Sequence, residues 1–222
     1  MNMSRIEIFC RVIACSNSLK ECPGTYKDLS NGNPPRGFYF LPECVNPKIL
    51  VIGKNPGHAF QEEANLYKNQ PLETIVSNHI EFISSLYERV DRFDSKEKRS
   101  TVFHHNLRRY LAYFLDAEKS EVFKHAVYTN LVKCSSPNEQ GTLHKQTIKN
   151  CFTKHLQREI NLFQPRVLLA LGNEVFNYLN RVDVQIIHRC PLFKIKHPSY
   201  FYKKEHEAQI LSDLKVRMRQ YL

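Results

Sequence analysis

Three polar side chains lie in or just after apolar, strand-like runs of this sequence. Asn55 stands two residues after KILVIG (48–53), Asn130 lies within AVYTNLVK (126–133), and His197 ends LFKIKH. A carboxamide can donate and accept hydrogen bonds at once and can orient water, and an imidazole can donate to an oxygen that gains negative charge. Because Asn is disfavoured inside a strand, Asn130 needs a partner, which is either a ligand or a neighbouring loop.

The seven cysteines offer a second kind of chemistry. An odd number of cysteines without a secretion signal indicates metal or cluster ligation, or plain buried thiols. Cys134 and Cys151 are separated by the sixteen residues 135–150. Cys44 and Cys190 are predicted to be ordinary buried thiols.

The hydrophobic pattern predicts the elements that must position these residues. Continuous or β-prone apolar runs predict four buried strands: 48–53, 126–133, 166–172 and 184–197. Apolar residues at three-and-four spacing predict helices: 71–90, 103–114, 152–163 and 202–221. Two polar stretches are predicted surface loops: 28–37 and 88–100.

The order of these elements predicts an α/β fold. We expect a three-layer α/β/α sandwich around a mainly parallel four-stranded sheet, with residues 1–222 forming a single domain. Ligands of such folds bind beyond the carboxyl ends of the strands, which is where Asn55 and His197 stand.

The charge balance favours a polyanionic partner. Thirty-two Lys and Arg against 22 Asp and Glu give a net charge of +10 and a pI near 9.3, although many basic proteins bind no nucleic acid. The 42% of hydrophobic residues excludes a disordered chain. No apolar run reaches the ~18 residues of a membrane span, and charged residues interrupt the N-terminal apolar stretch, so we expect a cytoplasmic protein without a signal peptide.

Four stretches, in this order, resemble motifs of the uracil-DNA glycosylase superfamily: GKNPG (53–57), VYTNLVKC (127–134), QPRVLLALG (164–172) and KIKHPSYF (194–201). They resemble the water-activating loop, the strand whose Asn reads the base, the strand after the cluster cysteines, and the His-Pro-Ser motif. With the upstream cysteines, the resemblance covers about residues 10–205. It implies a DNA glycosylase that flips a nucleotide out of the duplex and hydrolyses the N-glycosidic bond of uracil or a related deaminated base.

Within this resemblance, Asn55 and His197 take the catalytic positions. Asn55 matches the residue that positions the attacking water, and because an amide is a poor base, such an enzyme would depend on electrostatic stabilisation. His197 would donate toward O2 of the leaving base, and Asn130 would read its O4 and N3–H edge. The alternatives are an ordinary Asn-Pro turn at Asn55 and a structural role for His197.

The resemblance also implies contacts to the base and to the DNA backbone. The base pocket would be lined by Gly53, His58 and Phe60, with Phe60 as stacking wall and Tyr67 as its alternative. The DNA backbone would be contacted by Pro198, Ser199, Tyr200 and Lys203, with Lys54 and Lys204 nearby. Packing inside the protein is the alternative for the rings, and a solvated surface charge is the alternative for the lysines.

The cysteines resemble the ligands of the iron–sulfur branch of the superfamily, often called family four. Cys134 and Cys151 match the downstream pair, and Cys15 and Cys22 match the upstream pair, which implies a structural [4Fe–4S] cluster. Relatives generally carry the upstream pair as C-x-x-C, whereas six residues separate Cys15 from Cys22, so Cys10 is open as the first ligand. A zinc ion held by four thiolates is the competing metal.

The first motif departs from the iron–sulfur branch, which usually reads Gly-Glu-Ala-Pro-Gly. Lys54 and Asn55 are closer to the mismatch-specific and single-strand-selective branches, so mismatched uracil, hypoxanthine and a modified pyrimidine are all open as substrates. No lysine is clearly placed as a Schiff-base nucleophile, and we expect a monofunctional enzyme that acts as a monomer. Two other functions stay open: a catalytically silent nucleic-acid-binding protein of the same fold, and an enzyme acting on free nucleotides.

Overall fold

The computed structural model describes residues 5–41, 44, 46–59, 61–89, 100–137, 141–182, 190–199 and 204–222. Its centre is a five-stranded sheet formed by β1 (Phe38–Tyr39), β2 (Ile49–Gly53), β3 (Ala126–Asn130), β4 (Val167–Leu171) and β5 (Leu192–Ile195). The order across the sheet is β1-β3-β2-β4-β5, with β1 antiparallel to β3 and the other neighbours parallel. Every residue of β2, β3 and β4 is buried, so the sheet is covered on both faces.

Helices lie on both sides of this sheet, and the predicted three-layer α/β/α sandwich is confirmed. The helices are α1 (Arg5–Ile13), α2 (Gln61–Tyr67), α3 (Leu72–Arg89), α4 (Ser100–Leu115), α5 (Val122–His125), α6 (Lys145–Cys151), α7 (Gln157–Phe163), α8 (Asn173–Leu179) and α9 (Lys204–Arg219). A π-helix (Phe152–Leu156) joins α6 to α7. Within the described residues, every helix is too short or too polar to cross a lipid bilayer.

The predicted strands are found within one to three residues of their expected ends, except for the last. Of the strand predicted over 184–197, the structure has β5, while residues 183–189 lie outside the described part of the chain. The prediction of four strands misses β1, because a two-residue strand is too short to produce a recognisable hydrophobic pattern.

The prediction of a surface loop over 28–37 is wrong for its second half. Residues 32–37 are buried, and Arg36 is only 1% exposed. The backbone N–H groups of Arg36 and Gly37 both donate to the carbonyl of Lys133, at 2.8 and 2.9 Å. Polar composition suggested solvent exposure, but these internal partners replace water. Of the loop predicted over 88–100, residues 90–99 lie outside the described part of the chain.

Candidate active site

Strands β2 and β3 end side by side at the carboxyl edge of the sheet. Gly53, the last residue of β2, is paired in parallel register with Asn130, the last residue of β3. A β-carbon built at Gly53 would lie 2.7 Å from both Asn130 Nδ2 and Tyr128 Oη, closer than real side-chain contacts allow. Glycine is therefore required at position 53 for the backbone to approach the Asn130 amide.

The side-chain amide of Asn130 is fully buried and incompletely bonded. Its Nδ2 donates to Tyr128 Oη at 2.9 Å. Its Oδ1 is buried without a hydrogen-bond partner among the described residues. A buried acceptor left without a donor costs about 1–3 kcal/mol, so such an atom requires an explanation, and a ligand that supplies the donor is one.

Asn55 lies in the loop that leaves β2, and its side chain is half-buried. Its Nδ2 donates to Pro56 O at 3.1 Å and to Ser136 Oγ at 3.2 Å. The backbone carbonyls of Gly53 and Lys54 accept hydrogen bonds from Leu131 N and Val132 N, at 2.8 and 3.0 Å. The loop after β2 is thus bonded along its length to the segment that follows β3.

Arg36 is the centre of a buried network that supports this loop. Its guanidinium donates to Glu63 Oε1 at 2.7 Å, to Asn33 Oδ1 at 2.7 Å, to Ser135 Oγ at 3.0 Å and to Gly57 O at 2.6 Å. The side chains of Arg36 and Glu63 are only 2% and 4% exposed. A buried ion pair whose guanidinium makes four hydrogen bonds holds its surroundings in one geometry, unlike a mobile surface salt bridge.

His197 follows β5 by two residues and is half-buried. Burial lowers its pKa from the ordinary 6.5 to about 4, so the ring is neutral at pH 7. The backbone N–H of Ser199 donates to Nδ1 at 3.3 Å, which places the ring proton on Nε2. The turn is also fixed by Asn106, whose Nδ2 donates to Pro198 O at 2.8 Å.

The ring of Phe103, on α4, connects His197 to the strand ends. Its centroid lies 4.9 Å from the His197 ring and 5.1 Å from the Tyr128 ring. Tyr128 in turn holds the Asn130 amide. A continuous series of contacts therefore runs from Asn130 through Tyr128 and Phe103 to His197, along the edge where Gly53 leads into the Asn55 loop.

The residues at this edge of the sheet lie within a longer sequence match to known proteins. A sequence model described as the uracil DNA glycosylase superfamily matches residues 41–215 of the 222-residue chain. The chain belongs to this superfamily. The match includes Asn55, Asn130 and His197, and the upstream cysteines precede it. The comparison with curated proteins gave no match.

Other residues that the superfamily resemblance predicted at the site have different surroundings. His58 is exposed, with its ring 5.5 Å from that of Tyr26. Tyr67 is wrong as the alternative stacking wall, because it is fully buried in the core with its hydroxyl 2.7 Å from His79 Nδ1. Three predicted site residues lie outside the described part of the chain: Phe60, Tyr200 and Lys203.

Two residues that were predicted to contact the DNA backbone belong to the His-Pro-Ser turn and differ in exposure. Pro198 is buried and Ser199 is exposed. Lys54, which the resemblance placed near phosphates, instead forms an ion pair with Glu174 Oε2 at 3.2 Å and donates to the Gly141 carbonyl. Lys54 thereby connects the Asn55 loop to the start of α8.

The four cysteines that resemble superfamily cluster ligands lie near one another. The Cys22 and Cys151 thiols are hydrogen-bonded, which lowers the pKa of Cys22 from 9.0 to about 6. Burial, with smaller contributions from the neighbouring thiols of Cys15 and Cys22, raises the pKa of Cys134 to about 12. The proximity of Cys15 to Cys134 favours Cys15 as the first ligand, whereas Cys10 packs against the hydrophobic core.

These thiols fit a cluster by their chemistry. All four are free cysteines, as are the buried Cys44 and Cys190. Among the described residues, no three His, Cys, Asp or Glu side chains lie close enough together to hold a single metal ion. A [4Fe–4S] cluster is usually held by four thiolates, which is the donor set that Cys15, Cys22, Cys134 and Cys151 supply.

Lys133 is a supporting residue that the sequence did not reveal. Its buried ammonium donates to Asn130 O at 2.7 Å, to Thr129 Oγ1 at 2.7 Å and to Glu159 Oε2 at 2.8 Å. It precedes Cys134 directly, so it ties the end of β3 to the cysteine segment. The apolar residues before Lys133 indicated burial, but nothing in the sequence identified Glu159 as its partner.

Proposed function

We propose that this chain is a monofunctional DNA glycosylase that hydrolyses the N-glycosidic bond of uracil or a related deaminated base in DNA. Membership of the uracil DNA glycosylase superfamily supports glycosylase chemistry on DNA. The observation that carries the proposal is the unpartnered, buried Oδ1 of Asn130 beside the close approach at Gly53. The net charge of +10 supports DNA as the partner.

Asn130 suits the bases that deamination produces. Uracil and hypoxanthine both carry a ring N–H next to a carbonyl, whereas cytosine and adenine carry a ring acceptor next to an amino group. Oδ1 of Asn130 would accept the ring N–H, and the Nδ2 proton that is not given to Tyr128 would donate to the carbonyl. Cytosine would place acceptor against acceptor and donor against donor, so it would be rejected.

The hydrolytic step needs an oriented water and a place for the departing charge. The water attacks C1′ as the glycosidic bond breaks, and the bonding electron pair leaves with the base. Asn55 would orient the water but cannot take its proton, which passes to solvent. The Nε2–H of neutral His197 would donate to O2 of the base and stabilise the anion.

We also propose that Cys15, Cys22, Cys134 and Cys151 hold a [4Fe–4S] cluster. Its contribution would be structural, because base release transfers no electrons. The segment from Asn130 to Cys134, which Lys133 braces through Glu159, would then be anchored at both ends. A monomer acting in the cytoplasm remains the proposed state.

An oligonucleotide assay tests the enzyme proposal. Purified protein is incubated with single- and double-stranded oligonucleotides that carry uracil or hypoxanthine, and alkali then cleaves at abasic sites. We expect base release by the wild type and a roughly 10²-fold slower release by Asn55→Ala, with DNA affinity unchanged. Asn65→Ala, which removes an amide from the exposed face of α2, is the matched control and should retain the wild-type rate.

The alternatives give different results in the same assay. Salt-dependent DNA binding without release of any base would contradict the enzyme proposal and favour a catalytically silent binder. Hydrolysis of free nucleotides without DNA affinity would favour a nucleotide enzyme. A full rate in Asn55→Ala would contradict the role of that amide.

A further inference from the structure

Ser136 contacts the amide on which the proposed hydrolysis depends. The two acceptors of Asn55 Nδ2 are Pro56 O, at 3.1 Å, and Ser136 Oγ, at 3.2 Å. A carbonyl oxygen can only accept, so the nitrogen of the Asn55 amide, and not its oxygen, must face Pro56. With the amide nitrogen directed to these acceptors, Oδ1 is the atom of the amide that the described residues leave for a ligand or water.

This orientation decides whether the amide can help a nucleophilic water. If Oδ1 faces the water, it accepts a hydrogen bond from the water and leaves a lone pair of the water oxygen directed at C1′. If Nδ2 faced the water instead, its N–H would occupy that lone pair and weaken the nucleophile. An amide has nearly the same shape in both orientations, so only its hydrogen-bond partners can select one.

The position of Ser136 is itself fixed. It is 5% exposed, and its chain neighbour Ser135 donates to Gly57 O at 2.7 Å. Arg36 donates to both Ser135 Oγ and Gly57 O, at 3.0 and 2.6 Å. The two serines therefore contact the loop at Asn55 and at Gly57, and a buried guanidinium holds the second contact.

We propose that Ser136 is a positioning residue that orients Asn55. Pro56 O selects the orientation of the amide because it can only accept, and the Ser136 hydroxyl, as the second acceptor of Asn55 Nδ2, holds the amide in it, with Oδ1 toward the attacking water. The catalytic consequence rests on the proposed glycosylase function, whereas the orienting hydrogen bond does not. The residue type at position 136 therefore sets how well an Asn-type loop performs hydrolysis.

Single-turnover base release tests the catalytic consequence. Ser136→Ala is expected to slow release about tenfold, the effect of losing one hydrogen bond, while DNA affinity stays at the wild-type value. Ser136→Thr, which keeps the hydroxyl, should restore most of the rate. Ser85→Ala, which removes a hydroxyl that donates to the Phe82 carbonyl of its own helix α3, is the matched control and should leave the rate unchanged.

A double variant shows whether Ser136 acts through Asn55. Asn55→Ala/Ser136→Ala should be no slower than Asn55→Ala alone, because the serine has nothing left to orient. An equal slowing by Ser136→Ala in both backgrounds would overturn the proposal. So would a wild-type rate in Ser136→Ala.

A measurement independent of activity separates this inference from the proposed function. The side-chain NH₂ signals of Asn55, identified in NMR spectra by their loss in Asn55→Ala, should exchange with water several-fold faster in Ser136→Ala than in the wild type or in Ser136→Thr. An unchanged exchange rate would overturn the inference. Absence of base release from the wild type, with the expected exchange rates, would defeat the glycosylase proposal and leave the orienting role standing.

Discussion

Asn130 combines complete burial with an unsatisfied acceptor. The amide nitrogen is held by Tyr128 of the same strand, and not by the neighbouring loop that was the alternative to a ligand. The oxygen has no partner among the described residues. Tyr128 thus keeps the amide in place without using its whole hydrogen-bonding capacity, which suits a group that reads a ligand.

Replacement of Asn130 by Asp should abolish the reading of uracil. A carboxylate accepts hydrogen bonds but cannot donate to the base carbonyl or to Tyr128, and we expect uracil release to fall by roughly 10² or more. Single-turnover release from a uracil oligonucleotide measures the effect, with circular dichroism to verify folding. Asn65→Asp, on exposed α2, is the matched control. A wild-type rate in Asn130→Asp would show that Asn130 does not read the base.

At the scale of elements, the loop after β2 is held by residues from three other segments. Arg36 precedes β1, Glu63 lies in α2, and Ser135 follows β3. Arg36 and Ser135 both donate to Gly57 O, and Glu63 accepts from the Arg36 guanidinium, so the loop depends on the packing of these segments. The buried Arg36–Glu63 ion pair holds the surrounding groups in one geometry. Removing either residue leaves the charge of the other buried and uncompensated.

Arg36→Met should lower the free energy of unfolding by about 3–5 kcal/mol, because it leaves Glu63 charged and buried without its partner. Urea denaturation measures the change. The double variant Arg36→Met/Glu63→Leu should recover a large part of the lost free energy of unfolding, since both charges are then absent. Arg109→Met breaks the more exposed pair with Glu207 and should cost no more than about 1 kcal/mol. Equal effects of the two single variants would contradict the argument.

Substitution of the cluster cysteines tests the proposed cofactor. Anaerobically purified wild-type protein should contain iron and show a brown visible absorption, which Cys22→Ser, Cys134→Ser and Cys151→Ser should each lose. Cys44→Ser is the matched control and should keep both iron and colour. Loss of colour in Cys10→Ser but not in Cys15→Ser would contradict the choice of first ligand. Zinc without iron in the wild type would contradict the cluster.

At the scale of the whole molecule, three buried histidines make folding sensitive to acid. Burial lowers the pKa of His79, His104 and His155 from 6.5 to about 3 in each case. Because the folded pKa lies below the ordinary value, the unfolded chain binds these protons first as the pH falls. The stability they contribute is therefore complete above about pH 6.5 and is lost as the pH falls toward 3.

The free energy of unfolding should fall steeply between pH 6.5 and pH 4. Each of the three histidines contributes at most about 1.4 kcal/mol per pH unit to the slope of the unfolding free energy against pH. The contributions add over the range in which all three are protonated in the unfolded chain and neutral in the folded protein. Urea denaturation curves at pH 7, 6, 5 and 4 measure the effect. A midpoint that does not change across this range would show that these imidazoles are not buried in the neutral form.

The sequence by itself determined the features that depend on consecutive residues. The apolar runs at 48–53 and 166–172 predicted the central parallel strands. A strand that is covered on both faces of the sheet has apolar residues at every position instead of alternating apolar and polar ones. The order of the short motifs identified the superfamily, which the match over residues 41–215 confirms. Asn55, Asn130 and His197 were recognisable because each stands at or near the end of such a strand.

The tertiary structure alone decided which residues support these three. Ser136 bonds to Asn55, Phe103 lies between Tyr128 and His197, and Arg36 is buried inside a segment that its composition predicted to be a surface loop. These contacts join residues far apart in the chain, and the local pattern of one segment carries no information about its distant partner. A polar residue is buried or exposed according to whether that partner exists, and only folding brings the two together.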